Sequence, residues 1–292
     1  MGELVARGST VAERVDDELG VREEVEFFGG TQRVFGCRHL PVGAVAGGLV
    51  VCSPILSDFG ANYLREVRLA RRLAASGVAV QRFHPRGSGH SDGDRLDLTL
   101  DSMADDAAAA VERLRQRCGV STVALLGTRF GALVAAAAAR ELVSAPVVLW
   151  EPVTDPSRYF REGLRARSVH HLRRGTRGGD EPEAELATQG YVDVLGIPVG
   201  RELFETPASR GLAASLGPAA RPLLLVQLDS REDLKRPYRE AVDRWAAEGL
   251  EVTATCCPTE ETWWFMHDRL TPTETLVDTT AEWLLDRLGG DD

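Results

Sequence analysis

The stretch VSTVALLGTRFGALVAAAAARE, residues 120–141, runs an apolar strand through a glycine-bounded turn straight into a small-residue helix. Thr122–Leu126 is the continuous aliphatic run expected of a strand buried on both faces. A helix is predicted over Arg129–Leu142, directly after Gly127-Thr128-Arg129-Phe130-Gly131. Gly127 and Gly131 suit a tight turn at which helix and sheet approach closely. Such a strand–turn–helix elbow lifts its central side chain onto a helix N-terminus. Here that side chain is Arg129, and a guanidinium stays protonated near neutral pH and is no nucleophile. Thr128 stands one residue from the apex and points away from it.

Working outward, Val21–Phe28 and Gln32–Leu40, separated by Gly29-Gly30-Thr31, read as a hairpin. Gly48–Cys52 is another buried strand, Tyr63–Ala75 a helix ending at Gly77, and Val78–Phe83 the next strand. The turn-rich HPRGSGHSDGD, residues 84–94, then leads to a helix over Asp101–Gln116 with Asp101 as N-cap. Pro146–Trp150 is strand. The alternation lapses from about Pro152 to Pro218 and resumes with strand Pro222–Leu228, helix Leu234–Ala247, strand Glu251–Cys256 and helix Glu274–Leu288. Strands alternating with helices imply βαβ units and a mostly parallel sheet. The expected division is a core over 1–151, an inserted cap over 152–218 and the rest of the core over 219–292, with the cap above the strands' carboxyl ends.

Hairpin, buried strand, HPRGSGHSDG loop, elbow, insertion and terminal His-plus-helix stand in the order of the α/β-hydrolase superfamily, which the chain resembles over nearly its whole length. It looks most like the serine-aminopeptidase-like branch that includes exosortase-system-associated hydrolases, some of which carry G-x-R-x-G followed by Leu-Trp-x-Pro, as Gly127–Gly131 and Leu149-Trp150-Glu151-Pro152 do here. The resemblance implies an α/β-hydrolase fold: a central mostly parallel sheet, an antiparallel N-terminal edge and an inserted helical cap. It also implies a catalytic His, matched by His267 in the run Trp263-Trp264-Phe265-Met266-His267, and a triad acid, for which Asp229, Glu232 and Glu151 compete. The Phe130 N–H falls at the oxyanion position, and the Cys52-Ser53-Pro54-Ile55 turn would supply the second donor, making Ser53 and Ile55 substrate-side candidates.

At a helix N-terminus Arg129 has two readings: a clamp on a carboxylate or phosphate, or an internal ion pair with Glu151 or Asp229. A literal G-x-S-x-G at Gly89-His90-Ser91-Asp92-Gly93 has the wrong flanks, because no helix begins until near Asp101. Ser157–Thr176 is rich in arginine and holds His170 and His171 against a single acid, Glu162, ahead of the loop-like, acidic 178–185.

The chain's 292 residues, 43% hydrophobic and 27% charged, support a sizeable core. A net charge of −10 argues against non-specific nucleic-acid binding. Of 34 basic residues only Lys235 is a lysine, which reads as genome composition. Five cysteines without a CxxC pair fit a reducing compartment, and the absence of any long apolar run fits a cytoplasmic protein that does not span a membrane. No cofactor or metal is expected, and a homodimer stays open. The functional expectation is a hydrolase-fold protein lacking the Ser nucleophile that binds or acts on a small-molecule, acyl or peptide substrate bearing an anionic group. Superfamily members of that kind include a peptide epimerase, so a non-hydrolytic tailoring enzyme is one form of it. The alternatives are an ester, thioester or peptide hydrolase with a relocated nucleophile (Ser91, Ser53 or Cys52) and a catalytically dead binding protein.

Overall fold

The computed structural model describes residues 10–142, 144–175, 181–216, 221–229, 233–257 and 274–289. Strands β1 (Thr10–Asp16), β2 (Val21–Gly29) and β3 (Arg33–Pro41) form an antiparallel ribbon. β4 (Gly47–Cys52), helix α1 (Ser57–Ala74) and β5 (Val78–His84) follow, then α2 (Leu100–Cys118), β6 (Val123–Thr128), α3 (Gly131–Ala139) and β7 (Val147–Trp150). The chain then leaves the sheet for α4 (Pro156–Arg174), α5 (Pro182–Gln189), a hairpin of β8 (Tyr191–Val194) and β9 (Ile197–Gly200), and short α6 (Arg201–Phe204) and α7 (Leu212–Ser215). It returns as β10 (Pro222–Leu228), α8 (Arg236–Ala247), β11 (Glu251–Cys257) and α9 (Glu274–Leu288).

The nine-stranded sheet has the order β1-β2-β3-β5-β4-β6-β7-β10-β11, parallel from β5 onward. Strand order reverses between β4 and β6, where open α/β sheets hold ligands. Alternate residues of the apolar strands feed two cores. Val50 and Cys52 pack with α2 and α3, whereas Leu49 and Val51 pack with α1 and α9. Helices on both faces therefore require the unbroken apolar runs that mark β4 and β6 in the sequence.

Three local expectations need correction. Helix α1 begins at Ser57, almost two turns before Tyr63. The N-cap of α2 is Thr99, whose side chain and Ser102 make a reciprocal capping box, so Asp101 lies inside the first turn. The segment between β7 and β10 is not purely helical, since it contains the β8–β9 hairpin, and the acidic stretch is helical from Pro182 onward.

The antiparallel edge carries its own buried charges. Arg38 is fully buried between Glu26 and Glu24, the latter 2.8 Å away. From α2, Arg113 reaches Glu26 at 2.7 Å and Arg117 reaches Glu24 at 3.5 Å.

Candidate functional site at the strand ends

Four neighbouring strands end at one place, and the residues that follow them meet there: Ser53 after β4, Arg129 after β6, Glu151 after β7 and Asp229 after β10. The elbow is sterically forced. A Cβ at Gly127 would lie 2.4 Å from Ala132 Cα, and one at Gly131 would lie 2.0 Å from the Cys52 carbonyl oxygen. No side chain fits either gap, so these glycines let α3 rise against both β6 and the Cys52–Ile55 turn. Arg129 sits at the apex with φ +53°, a left-handed conformation costly for a residue with a Cβ. Its N–H donates to the Trp150 carbonyl at 3.0 Å, and its own carbonyl accepts from the Val153 N–H at 3.1 Å. Leu56 (φ +58°) and Glu151 (φ +39°) add two more left-handed residues at this end of the sheet.

The Arg129 side chain is 12% exposed, and its Nε lies 3.2 Å from Asp58 Oδ2. The expected ion pair with Glu151 or Asp229 is therefore replaced by one with Asp58, from the first turn of α1. Glu151 offers Arg129 only its main-chain carbonyl, at 3.2 Å, because its carboxylate is used elsewhere. The Tyr159 hydroxyl stands 3.1 Å from Asp58 Oδ2 and 3.2 Å from the Ile55 carbonyl oxygen. Burial pushes the Asp58 carboxyl up, with Arg129 and Tyr159 pulling it back. Burial also opposes the Arg129 charge, but Asp58 and the surrounding tyrosines and Glu151 outweigh it and hold the guanidinium above its ordinary value. Burial keeps the Tyr159 phenol well above its usual range, so it remains a donor.

The second half of the site centres on the one lysine. Lys235 Nζ lies 2.5 Å from Glu151 Oε1 and 3.5 Å from Asp229 Oδ2. The other Glu151 oxygen accepts from the Leu228 N–H at 2.7 Å. Two of the three acids expected to orient a catalytic His, Glu151 and Asp229, are thus engaged by Lys235. Tyr238, from α8, donates to the Pro152 carbonyl at 3.0 Å. Between these groups opens a cleft of about 140 Å³, lined by Arg129, Val153, Asp155, Arg158, Tyr159 and Lys235 among others.

The relocated nucleophiles fare poorly. Cys52 is fully buried, and burial followed by the charge of Glu66 pushes its thiol far up, keeping it from the reactive thiolate form. Ser91 Oγ donates to the His84 carbonyl at 2.5 Å and accepts from the Phe35 N–H at 2.8 Å, tying its loop to β3. A hollow of about 430 Å³ beside Ser91 is open to solvent and distant in sequence from the elbow. Ser53 Oγ donates at 2.6 Å to the buried Glu66, whose carboxyl burial pushes up. Phe130 buries its ring against Tyr159 and Phe160, with centroids 5.5 and 5.6 Å away. The next residue, Gly131, packs against the Cys52 and Ser53 carbonyls. His267, Trp263, Trp264 and Glu232 lie outside the described residues.

Sequence reasoning missed Asp58, Tyr159, Lys235 and Tyr238. Lys235 carried a visible signal, because a single lysine in an arginine-rich chain is conspicuous. Asp58 and Tyr159 carried none, since each sits at an ordinary helical position.

Comparison with known proteins bears on the fold. The profile described as serine aminopeptidase, S33, matches residues 49–175, from β4 to the end of α4. A hydrolase structure from Agrobacterium vitis S4 superposes with a TM-score of 0.58 at 21% identity, covering 92% of this chain and 99% of its own. Est1E from Butyrivibrio proteoclasticus, seen with ferulic acid bound, gives 0.62 at 16% identity over 90% of this chain and 99% of its own. An esterase of Pyrococcus furiosus gives 0.61 at 16% identity over 99% of this chain and 100% of its own. No curated protein matches the sequence. The chain has the α/β-hydrolase fold. Among the described residues, no helix is long and apolar enough to cross a membrane.

Proposed function

We propose that this chain is an α/β-hydrolase-fold protein without a seryl or cysteinyl nucleophile, which holds the anionic end of a small acyl or peptidyl ligand in the elbow cleft. The observation that carries the reading is Arg129. A strained, glycine-enforced apex normally aimed at chemistry presents a guanidinium to a cleft that also bears Arg158 and Lys235. Arginine suits carboxylate and phosphate recognition, and α3 begins directly behind it with the favourable end of its dipole. The cleft is small beside the roughly 300–1,000 Å³ of pockets that enclose a whole drug-sized ligand. It therefore suits a terminal group, with the rest of the ligand lying outside beneath residues 152–218, which in this reading act as the cap.

Two measurements test this. The full chain is treated with a fluorophosphonate probe, and calorimetry follows titration with N-acetylglycine and with succinate. No labelling, together with anion binding that is lost in Arg129→Gln, is expected. Labelling of Ser53 or Ser91 would restore the hydrolase reading. Absence of both labelling and binding would leave Arg129–Asp58 as the plug of an inactive site.

A further inference from the structure

We infer that the solvent face of α4 is a docking surface for an acidic polypeptide that delivers the acyl or peptidyl group to the elbow cleft, an inference that rests on the reading above. Arg158, Arg161, Arg165, Val169, Leu172 and Arg173 recur at helical spacing and form one exposed stripe. Leu172 is 79% exposed and Val169 is 48% exposed, so an apolar centre lies among arginines. Arginine is enriched at protein interfaces, and the exposed aliphatic side chains beside it are apolar area that association would remove from water.

Helix stability does not account for the charge. Arginines in the last turn, such as Arg173 and Arg174, complement the helix dipole, but Arg158 in the first turn opposes it, and that turn contains no acid. Glu162 is the helix's one acid, 2.8 Å from Arg158. Arg167 does not belong to the stripe. It turns inward to Glu185 of α5, 2.7 Å away, and fastens α4 to the segment beneath it.

The stripe is continuous with the cleft. Arg158, Tyr159 and Glu162 line the cleft, and from there to Arg173 the helix runs roughly 22 Å at 1.5 Å per residue. A ligand too large for the cleft must leave along some surface, and this one begins at its rim. An acidic polypeptide fits better than an anionic bilayer. A membrane-lying helix turns an apolar face to lipid and keeps its charges apart, whereas here aliphatic and charged side chains alternate on one face.

The test titrates the full chain into a dye-labelled synthetic peptide of Glu and Leu, read by fluorescence anisotropy. Saturable binding is expected. It should weaken steeply with added salt, at least tenfold in the Arg165→Glu/Arg173→Glu double variant, and about fivefold in Leu172→Ala. N-acetylglycine binding in the cleft should survive in both variants, because Arg165, Leu172 and Arg173 do not line it. Equal peptide binding by wild type and double variant would overturn the inference. So would binding to phosphatidylglycerol vesicles in place of the peptide, or a concentration-dependent dimer abolished by the same variants. Peptide binding without N-acetylglycine binding would keep the docking face and overturn the delivery role instead.

Discussion

Two buried arginines in this molecule face opposite fates. Arg38, in the antiparallel edge, is wholly buried and shares Glu24 and Glu26 with Arg113 and Arg117. Arg129, at the elbow, pairs with Asp58, and has a strained backbone and a side chain that is 12% exposed and lines the cleft. The first arrangement spends every charge on internal partners and has room for nothing else. The second pairs the guanidinium with a carboxylate whose protonation burial already favours, and sets it in the lining of the cleft. If the proposed anion binding holds, sealing rather than burial alone is what separates a structural ion pair from a recognition group.

The largest expected effect tests the sealed network. Glu26→Gln removes the carboxylate that both Arg38 and Arg113 contact, taking the ion-pair partner from Arg113 and leaving Arg38 to share Glu24 with Arg22 and Arg117. Breaking a buried ionic network this way costs about 3–5 kcal/mol, or roughly 10 °C in melting temperature for a chain of this size. Calorimetric melting should show that loss with N-acetylglycine affinity unchanged. A smaller shift than that of Arg129→Ala would reverse the ranking of the two arginines.

Arg129→Ala should cost less, about 1–3 kcal/mol, because Asp58 can take up a proton or be reached by water from the cleft. The pH dependence follows from Asp58, whose carboxyl burial already holds above its usual range. Removing Arg129 raises it further. A carboxyl raised in the folded state contributes stability that is complete below its unfolded value and lost as pH rises through the folded one. The deficit of Arg129→Ala relative to wild type should therefore be greatest at neutral pH and shrink toward pH 4 in urea titrations. A deficit constant across that range would mean that Asp58 is not the group left unpaired.

Much of the fold was legible because its determinants are local. The apolar runs of β4 and β6, and the glycines at 127 and 131, are enforced by close contacts that recur wherever a strand enters a helix this way. Helix α9 matches its expected span, Glu274–Leu288. β1 was missed because Ala12, Glu13, Arg14 and Asp16 give no apolar alternation for a pattern to follow. The site was legible only in outline. Strand ends placed Ser53, Arg129, Glu151 and Asp229 together, but which charge meets which depends on side-chain reach from separate helices. Asp58 comes from α1, Tyr159 from α4, and Lys235 from the residue before α8. Spacing along the chain carries no information about such encounters. The composition of the chain did carry some, since an otherwise arginine-only protein keeps one lysine and places it between two strand-end acids.

The smallest effect separates the backbone of Arg129 from its charge. Arg129→Ala and Arg129→Gly lose the same ion pair with Asp58, but only glycine adopts φ +53° without a Cβ penalty. Glycine should therefore be the more stable of the two variants, by about 1 kcal/mol, in spite of its greater freedom in the unfolded chain. At Arg38, whose backbone is ordinary paired strand, the same two substitutions should rank the other way, with alanine the more stable. Urea titration of the four variants measures both differences at once. If alanine proved the better residue at 129 as well, the elbow would have relaxed on losing the guanidinium. The strain would then belong to the ion pair that holds Arg129 in place, and not to the glycine-bounded turn.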